Sequence, residues 1–333
     1  MKRFLRWAVW GVVLFFIGHT LVSYWPEIRR VQFRDGSEYW LALACGVTLA
    51  AHCWAGWVWH WLLQDWGLSF GGLWAVRVYL LTNVAKYLPG NVWHFVGRVR
   101  AVQKAGGSLG RSLVSVVAEP LVMAVAALGM AAVFSLPTSW LTWINSPARM
   151  GLSDWLSHSR FGDGPLWSLG LLAGWAIALL LLHPRWLNPR LRQMSQLKLR
   201  YWSSRQANVA VPIDEQRLKL ERYPVLPLMG EIGFVLARSL GFILTVMALT
   251  SINLGDIPLL VSAFCMAWLL GLVVPGAPGG VGVFEATATA LLSGQLPIGV
   301  IVGSVVCYRL IGTLAELIGA VVFWIQARIW QDG

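Results

Sequence analysis

The sequence contains few charged residues for its length. Only 12% of the 333 residues are Asp, Glu, Lys or Arg, about half of the charged fraction of a soluble domain. Hydrophobic residues make up 57%, and a soluble fold cannot bury that much apolar surface. These proportions exclude a soluble enzyme and a disordered protein. The apolar runs are also continuous rather than alternating, which does not fit a transmembrane β-barrel.

Cysteine is rare, and the common motifs for metals and nucleotides are missing. The four cysteines lie in apolar runs and form no CxxC pair, so we expect neither disulfides nor a zinc site. The sequence has no DxD pair and no Walker or Rossmann glycine loop in its usual context. We therefore predict no catalytic residues, no metal and no cofactor.

Six apolar runs are long enough to cross a hydrocarbon core of about 30 Å. They are Trp7–Tyr24, Trp40–Leu63, Leu113–Phe134, Leu166–Leu182, Ile232–Ser251 and Ile298–Ile325. No A-x-A cleavage pattern follows the first run, so we expect it to be retained as a helix rather than removed as a signal peptide. The runs predict an all-α polytopic membrane protein.

Two further apolar stretches, 73–105 and 257–293, are interrupted by proline and glycine, which break helices. The interrupting residues are Pro89, Gly90, Pro275, Gly276, Pro278, Gly279 and Gly280. Each stretch is either two ordinary helices joined by a loop or a re-entrant hairpin of two half-helices. We favour the hairpin, because the pieces on each side of each break are short. Half-helix N-termini directed into a membrane would then attract an anion.

The two interrupted stretches also resemble each other. When Pro89 is aligned with Pro278, both stretches show the pattern PGxVxxF, and nine of 32 aligned positions are identical. The alternative is chance similarity between two helix-break-helix segments. A true repeat would divide the chain into 1–135 and 136–333, each with two spans, a re-entrant hairpin and one span. Because the first half starts inside and ends outside, the repeat would be inverted, with a binding site at its interface.

The net charge of +11 follows the positive-inside rule. The segment 64–111 carries six basic residues against one acid, and the loop 183–230 carries nine against three, whereas the two segments on the other side are balanced. This pattern predicts cytoplasmic termini and accounts for the charge without nucleic acid as a partner.

Charged residues inside apolar runs are the candidate functional residues, because each costs about 2.5–3.5 kcal/mol to insert into a membrane. They would line an aqueous cavity, or they would form structural ion pairs between helices. The residues predicted to face a lipid headgroup or cavity are Arg98, Glu119, Glu285, Arg309, Lys86, His94, Asn83 and Glu316.

The motif around the first break, Lys86-Tyr87-Leu88-Pro89-Gly90 followed by Arg98 and Glu119, resembles the lysylphosphatidylglycerol synthase transmembrane-region family. The segment PGAPGGVGVFE at 275–285, followed by Arg309, resembles it as well. The resemblance implies a prokaryotic cytoplasmic-membrane protein that moves a lipid headgroup across the bilayer. It implies that Arg98, Glu119, Glu285 and Arg309 are cavity residues. These 333 residues contain no soluble aminoacyl-transferase segment, so we expect no lysyl transfer.

Three functions remain open from the sequence. The first is a flippase or scramblase for an anionic phospholipid, a glycolipid or a polyprenyl-phosphate-linked lipid. The second is a membrane glycosyltransferase that uses a lipid-linked sugar. The third is a non-catalytic subunit of a lipid-modifying complex, with the basic loop as its docking surface. The expected partners are a membrane lipid with an anionic headgroup, a lipid-modifying enzyme and a second copy of the chain.

Overall fold

A computed structural model describes residues 33–88, 92–144, 165–189, 220, 222–274 and 282–329. Within these residues all regular structure is helical and no strand occurs, which confirms the predicted class. The first predicted span, the basic segment 190–219 and the helix-breaking residues of both interrupted stretches lie outside the described residues. The breaking residues concerned are Pro89, Gly90, Pro275, Gly276, Pro278, Gly279 and Gly280.

Nine α-helices are used below, numbered in chain order over the described residues. They are α1 (Ser37–Asp65), α2 (Gly72–Asn83), α3 (Trp93–Lys104), α4 (Leu109–Ile144), α5 (Pro165–Leu181), α6 (Val225–Met247), α7 (Ile257–Val273), α8 (Val283–Leu292) and α9 (Ile298–Ile329). Short 3-10 turns at Val84–Tyr87 and Leu254–Asp256 extend α2 and precede α7.

Five of the described helices are long and apolar enough to cross a membrane. They are Ser37–Asp65, Leu109–Leu136, Val225–Met247, Leu254–Val273 and Ile298–Gln326. Four of them coincide with predicted spans, and the fifth contains the first arm of the second predicted hairpin. The predicted fourth span forms α5, which has 17 residues and is therefore about 26 Å long at 1.5 Å per residue.

The predicted loop 183–230 extends too far, because α6 already begins at Val225. Pro224 precedes the helix, and Pro227 lies in its first turn, where a missing N–H breaks no helical hydrogen bond. The apolar residues at 225–229 therefore continue the helix. This correction places Glu231 inside a long apolar helix rather than at its entrance.

Each interrupted stretch consists of two helices that pack together and are shorter than the helices on either side. One of them, α7, is long enough to cross a membrane together with the turn before it (Leu254–Val273), which differs from the predicted pair of short half-helices. The pair α2 and α3 occupies the first stretch, and the pair α7 and α8 occupies the second. Each pair is preceded by one long helix and followed by another, so the order of helix lengths is the same in both parts of the chain. The second helix of each pair begins at Trp93 and at Val283, respectively. Both starts are two residues after the positions predicted from the sequence, Asn91 and Val281.

Helix α6 lies at the centre of the packing and contacts α1, α4, α7 and α9. Small residues permit these close approaches, since a Cβ at Gly241 would lie 2.7 Å from Thr48 Oγ1 of α1. An aromatic cluster, defined as Phe242, Phe264, Phe284 and Tyr308, joins α6 to α9 with ring centroids 5.5–6.3 Å apart. The cluster fixes the start of α8 beside α9.

Candidate functional site

The most deeply buried ion pair joins α3 to α4. An Nη1 of Arg98 contacts Oε2 of Glu119, and the two side chains are 2% and 3% exposed. A second donor of Arg98, Nη2, lies 3.4 Å from Oδ1 of Asn83 at the end of α2. Thus three residues predicted to form the site meet beside the first break.

Aromatic rings enclose this guanidinium. Its Cζ lies 3.7 Å from the centre of the Tyr79 ring and 5.7 Å from the Trp59 ring. The negative faces of such rings attract a cation, and attraction grows when the pair is shielded from water. Arg98 is therefore held by a carboxylate and by two aromatic faces at once.

A second cluster joins four segments around Glu316 of α9. Its Oε1 contacts Nζ of Lys86 and lies 3.2 Å from Nε2 of His52 on α1. The same His52 nitrogen lies 3.2 Å from Nη1 of Arg238 on α6. Glu316 is 1% exposed, while Lys86 is 30% exposed. The cluster ties the first interrupted stretch to helices from both parts of the chain.

The third ion pair joins α8 to α9 beside the second break. Nε of Arg309 lies 2.7 Å from Oε1 of Glu285, with side chains 18% and 22% exposed. Oε2 of Glu285 also accepts the backbone N–H of Gly282 at 2.7 Å. Glu285 is thus the acidic residue that caps its own helix and offsets the positive end of the helix dipole.

This capping changes the interpretation of the second break. The sequence predicts that the N-terminus of α8 attracts an anionic ligand, but Glu285 already supplies a carboxylate there. Arg309 then carries the positive charge that a ligand at this position would meet. At the first break, by contrast, α3 begins at Trp93 without a side-chain cap.

The structure brings the predicted site residues into three groups rather than one. Six of the eight form the ion pairs, and Asn83 contacts Arg98. His94 is 8% exposed and packs its ring 3.8 Å from the Phe95 ring, centre to centre. Arg309 and Glu316, seven residues apart on α9, point to the same side but bind different partners. All three ion pairs join different helices, which was the structural alternative considered for these charges.

Three polar residues within the helices were missed in the sequence: His52 and Glu231, which are buried, and Arg238, which is partly buried. His52 and Arg238 lie inside predicted spans, so their polarity within apolar runs was a signal that could have found them. Glu231 lies between the predicted loop 183–230 and the predicted span Ile232–Ser251, so it was included in neither. In the structure Glu231 is completely buried on α6.

A metal site is not formed by the described residues, among which no three His, Cys, Asp or Glu side chains come close enough to hold an ion. All four cysteines are free thiols.

A comparison with known protein families gives a match over nearly the full length of the chain. The model for the lysylphosphatidylglycerol synthase TM region matches residues 4–319. The chain belongs to this family. A comparison with curated proteins gives no match.

Membership agrees with the motifs at both breaks and with the five apolar helices. The protein is a multi-pass membrane protein of the lysylphosphatidylglycerol synthase TM-region family, and its function is related to membrane lipids. The ion pairs described above lie in the helices that carry the family motifs.

Proposed function

We propose that this protein is a flippase or scramblase that moves a lipid with an anionic headgroup across a prokaryotic cytoplasmic membrane. The observation that supports this proposal most is the position of two ion pairs, one after each break. Each short helix that follows a break is tied to the next long helix by one arginine and one carboxylate. Such pairs within apolar helices mark ion and substrate pathways in membrane proteins.

The two pairs have opposite polarity along the chain. In the first, Arg98 lies on the short helix and Glu119 on the long one. In the second, Glu285 lies on the short helix and Arg309 on the long one. Together with the repeated order of helices, this arrangement supports two related halves with a substrate path between them.

The chemistry of arginine explains how such a path would act on lipids. A guanidinium binds a carboxylate or a phosphate with the same planar set of N–H donors. Arg98 and Arg309 would exchange their glutamate partners for the headgroup phosphate, while the acyl chains remain in the bilayer. When the headgroup leaves, the glutamates take back the arginines, so neither charge is left unpaired.

The test is headgroup translocation in proteoliposomes. Vesicles are prepared with the purified protein and one labelled lipid at a time: an anionic phospholipid, an anionic glycolipid or a polyprenyl phosphate. Accessibility of the headgroup to an impermeant reagent is followed with time. We expect at least one of these lipids to cross faster than in empty vesicles, and Arg98→Ala to abolish the difference.

Arg100→Ala is the matched control, because Arg100 lies on the same helix as Arg98 but is exposed. We expect this variant to transport like the wild type. If no lipid of the three classes crosses faster than in empty vesicles, the proposal is wrong. Release of a labelled sugar from a lipid-linked donor would instead support a glycosyltransferase. Co-purification of a lipid-modifying enzyme whose activity requires 190–222 would support a non-catalytic subunit.

A further inference from the structure

Glu231 on α6 is a buried acidic residue that belongs to none of the three groups of charged residues described above. The residue is 0% exposed, and neither carboxyl oxygen has a hydrogen-bond partner among the described residues. Its position is tightly held, because Trp54 Nε1 donates to the neighbouring Gly230 carbonyl at 2.8 Å. A Cβ at Gly230 would lie only 2.6 Å from Val58 Cγ2, so α1 and α6 are in close contact here.

The two charged residues that interact electrostatically with Glu231 do not provide it with a free cation. These residues are Arg98 and Glu119. The guanidinium of Arg98 is already bound to Glu119 and covered by Tyr79. The group therefore contains two carboxyls and one cation. An unpaired carboxylate is strongly disfavoured in a buried, apolar setting, whereas a protonated carboxyl is not charged.

Other titratable groups lie further along α6. Two turns beyond Glu231, α6 carries Arg238, and the neighbouring helices contribute one group each near that turn. These groups are His52 of α1, which lies against Phe234 and Arg238, Cys265 of α7, which contacts Ser239, and Tyr308 of α9, which donates to the Arg238 carbonyl. Glu316 of α9 is engaged by Lys86 and His52. None of them is bonded to Glu231.

We propose that Glu231 is a proton-binding site, holding one proton in the packed state of the helices and exchanging it with water when α6 separates from the Arg98–Glu119 pair. The reaction is protonation of one carboxylate oxygen, which removes one negative charge from the core. Because the packed state requires this proton, acidic conditions favour it and alkaline conditions disfavour it.

The consequence for transport rests on the proposed function. In each transport cycle, Glu231 would bind one proton when the helices reach the packed state and exchange it with water when α6 separates. Translocation would therefore slow at high pH in the wild type, by about tenfold per pH unit once the protonated fraction of Glu231 limits the rate. A glutamine at position 231 is neutral at every pH and should remove that dependence.

The first experiment does not depend on transport. Infrared difference spectra of the protein in lipid bilayers are recorded for the wild type, Glu231→Gln, Glu231→Asp and the surface control Glu38→Gln. We expect a carbonyl band of a protonated carboxyl near neutral pH in the wild type. The band should be lost in Glu231→Gln, shifted in Glu231→Asp and unchanged in Glu38→Gln, since Glu38 is exposed. Absence of the band in the wild type, or its full retention in Glu231→Gln, overturns the proposal.

The second experiment measures the pH dependence of headgroup translocation with the same variants. A wild-type rate that falls with rising pH, together with a flat profile for Glu231→Gln, supports coupling. Equal pH profiles for both proteins contradict coupling. If no lipid is transported at all, the proposed function fails, while the infrared result still decides whether Glu231 holds a proton. The aspartate variant keeps that decision possible if the glutamine variant does not fold.

Discussion

The ion pairs of this protein differ in how far they are shielded from solvent, and therefore in how much stability is lost when one partner is removed. Arg98 and Glu119 are almost completely shielded from water, whereas Arg309 and Glu285 are about one-fifth exposed. Removing one member of a shielded pair leaves the other charge without solvent or partner. At a partly exposed pair, water replaces the lost partner, and the loss of stability is small. The two pairs should therefore respond differently to the same substitution.

Arg98→Gln should destabilise the protein by about 3–5 kcal/mol, because Glu119 loses its cation in the core. Thermal unfolding in detergent measures this change. Arg100→Gln, an exposed arginine on the same helix, should leave the midpoint nearly unchanged. The double variant Arg98→Gln/Glu119→Gln should recover part of the loss, since no unpaired charge remains. Equal midpoints for Arg98→Gln and Arg100→Gln would contradict the buried pair.

Arg309→Gln should cost only about 1 kcal/mol of stability, because the pair is partly exposed. Glu285 also keeps the Gly282 N–H as a partner. Its effect on lipid translocation should be large nevertheless, since the proposed headgroup contact is lost. Thermal unfolding and translocation of the same preparation separate the two effects. A fully stable variant with wild-type translocation would exclude Arg309 from the lipid path.

At the level of helices, close packing depends on glycine at specific points. Gly56 of α1 faces α2, where a Cβ would lie 2.8 Å from the Cα of Val76. Gly46 of the same helix is exposed, and a Cβ there would meet nothing within 4 Å. Because α2 carries Tyr79 and Asn83 toward Arg98, the spacing between α1 and α2 also positions the site.

Gly56→Ala should therefore destabilise the protein by about 1–3 kcal/mol through overpacking against a neighbouring backbone. Gly46→Ala should be neutral or stabilising by up to about 1 kcal/mol, because alanine favours a helix more than glycine does. The two variants change the same residue type in the same helix, so they are matched in composition. Chemical or thermal unfolding that ranks them in the reverse order would contradict the observed packing of α1 on α2.

At the level of the whole molecule, two similar sets of helices pack together, and α6 of the second set contacts α1 and α4 of the first. The order of a long helix, two short packed helices and another long helix occurs twice. The ion pairs at the two breaks have reversed polarity. An inverted repeat predicts that the two pairs of short helices open toward opposite sides of the membrane. A repeat of the same orientation would place them on one side.

Cysteine labelling distinguishes these arrangements. In a background without the four native cysteines, Lys104→Cys marks the end of α3 and Gln295→Cys marks the segment after α8, both exposed positions. We expect an impermeant maleimide to label Gln295→Cys from outside intact cells, and Lys104→Cys only after permeabilisation. Labelling of both from the same side would contradict the inverted repeat.

Much of the helical framework could be predicted from the sequence, because apolar run length and helix-breaking residues act locally. The stretches 73–105 and 257–293 were each predicted to contain two helices, and each does, although α7 with the turn before it is long enough to cross a membrane and is not a short half-helix. The start of α6 was predicted too late, because the loop was extended to residue 230, although Pro224 and Pro227 are both compatible with a helix start. That single error hid Glu231.

Six of the site residues were also predictable, since a charge within an apolar run stands out in any sequence. Their partners were not, because Arg98 and Glu119 are separated by 21 residues and Lys86 and Glu316 by 230. Which charges meet depends on how helices from distant parts of the chain rotate and pack.

The sequence by itself therefore determined the membrane class, most helix positions and the residues that carry charge into the core, because each of these follows from local composition and periodicity. Only the tertiary structure decided which arginine binds which carboxylate, and that Glu285 caps its own helix against Arg309. It also showed that Glu231 has no hydrogen-bond partner among the residues that the structure describes. These are properties of contacts between helices, and a local pattern does not specify them.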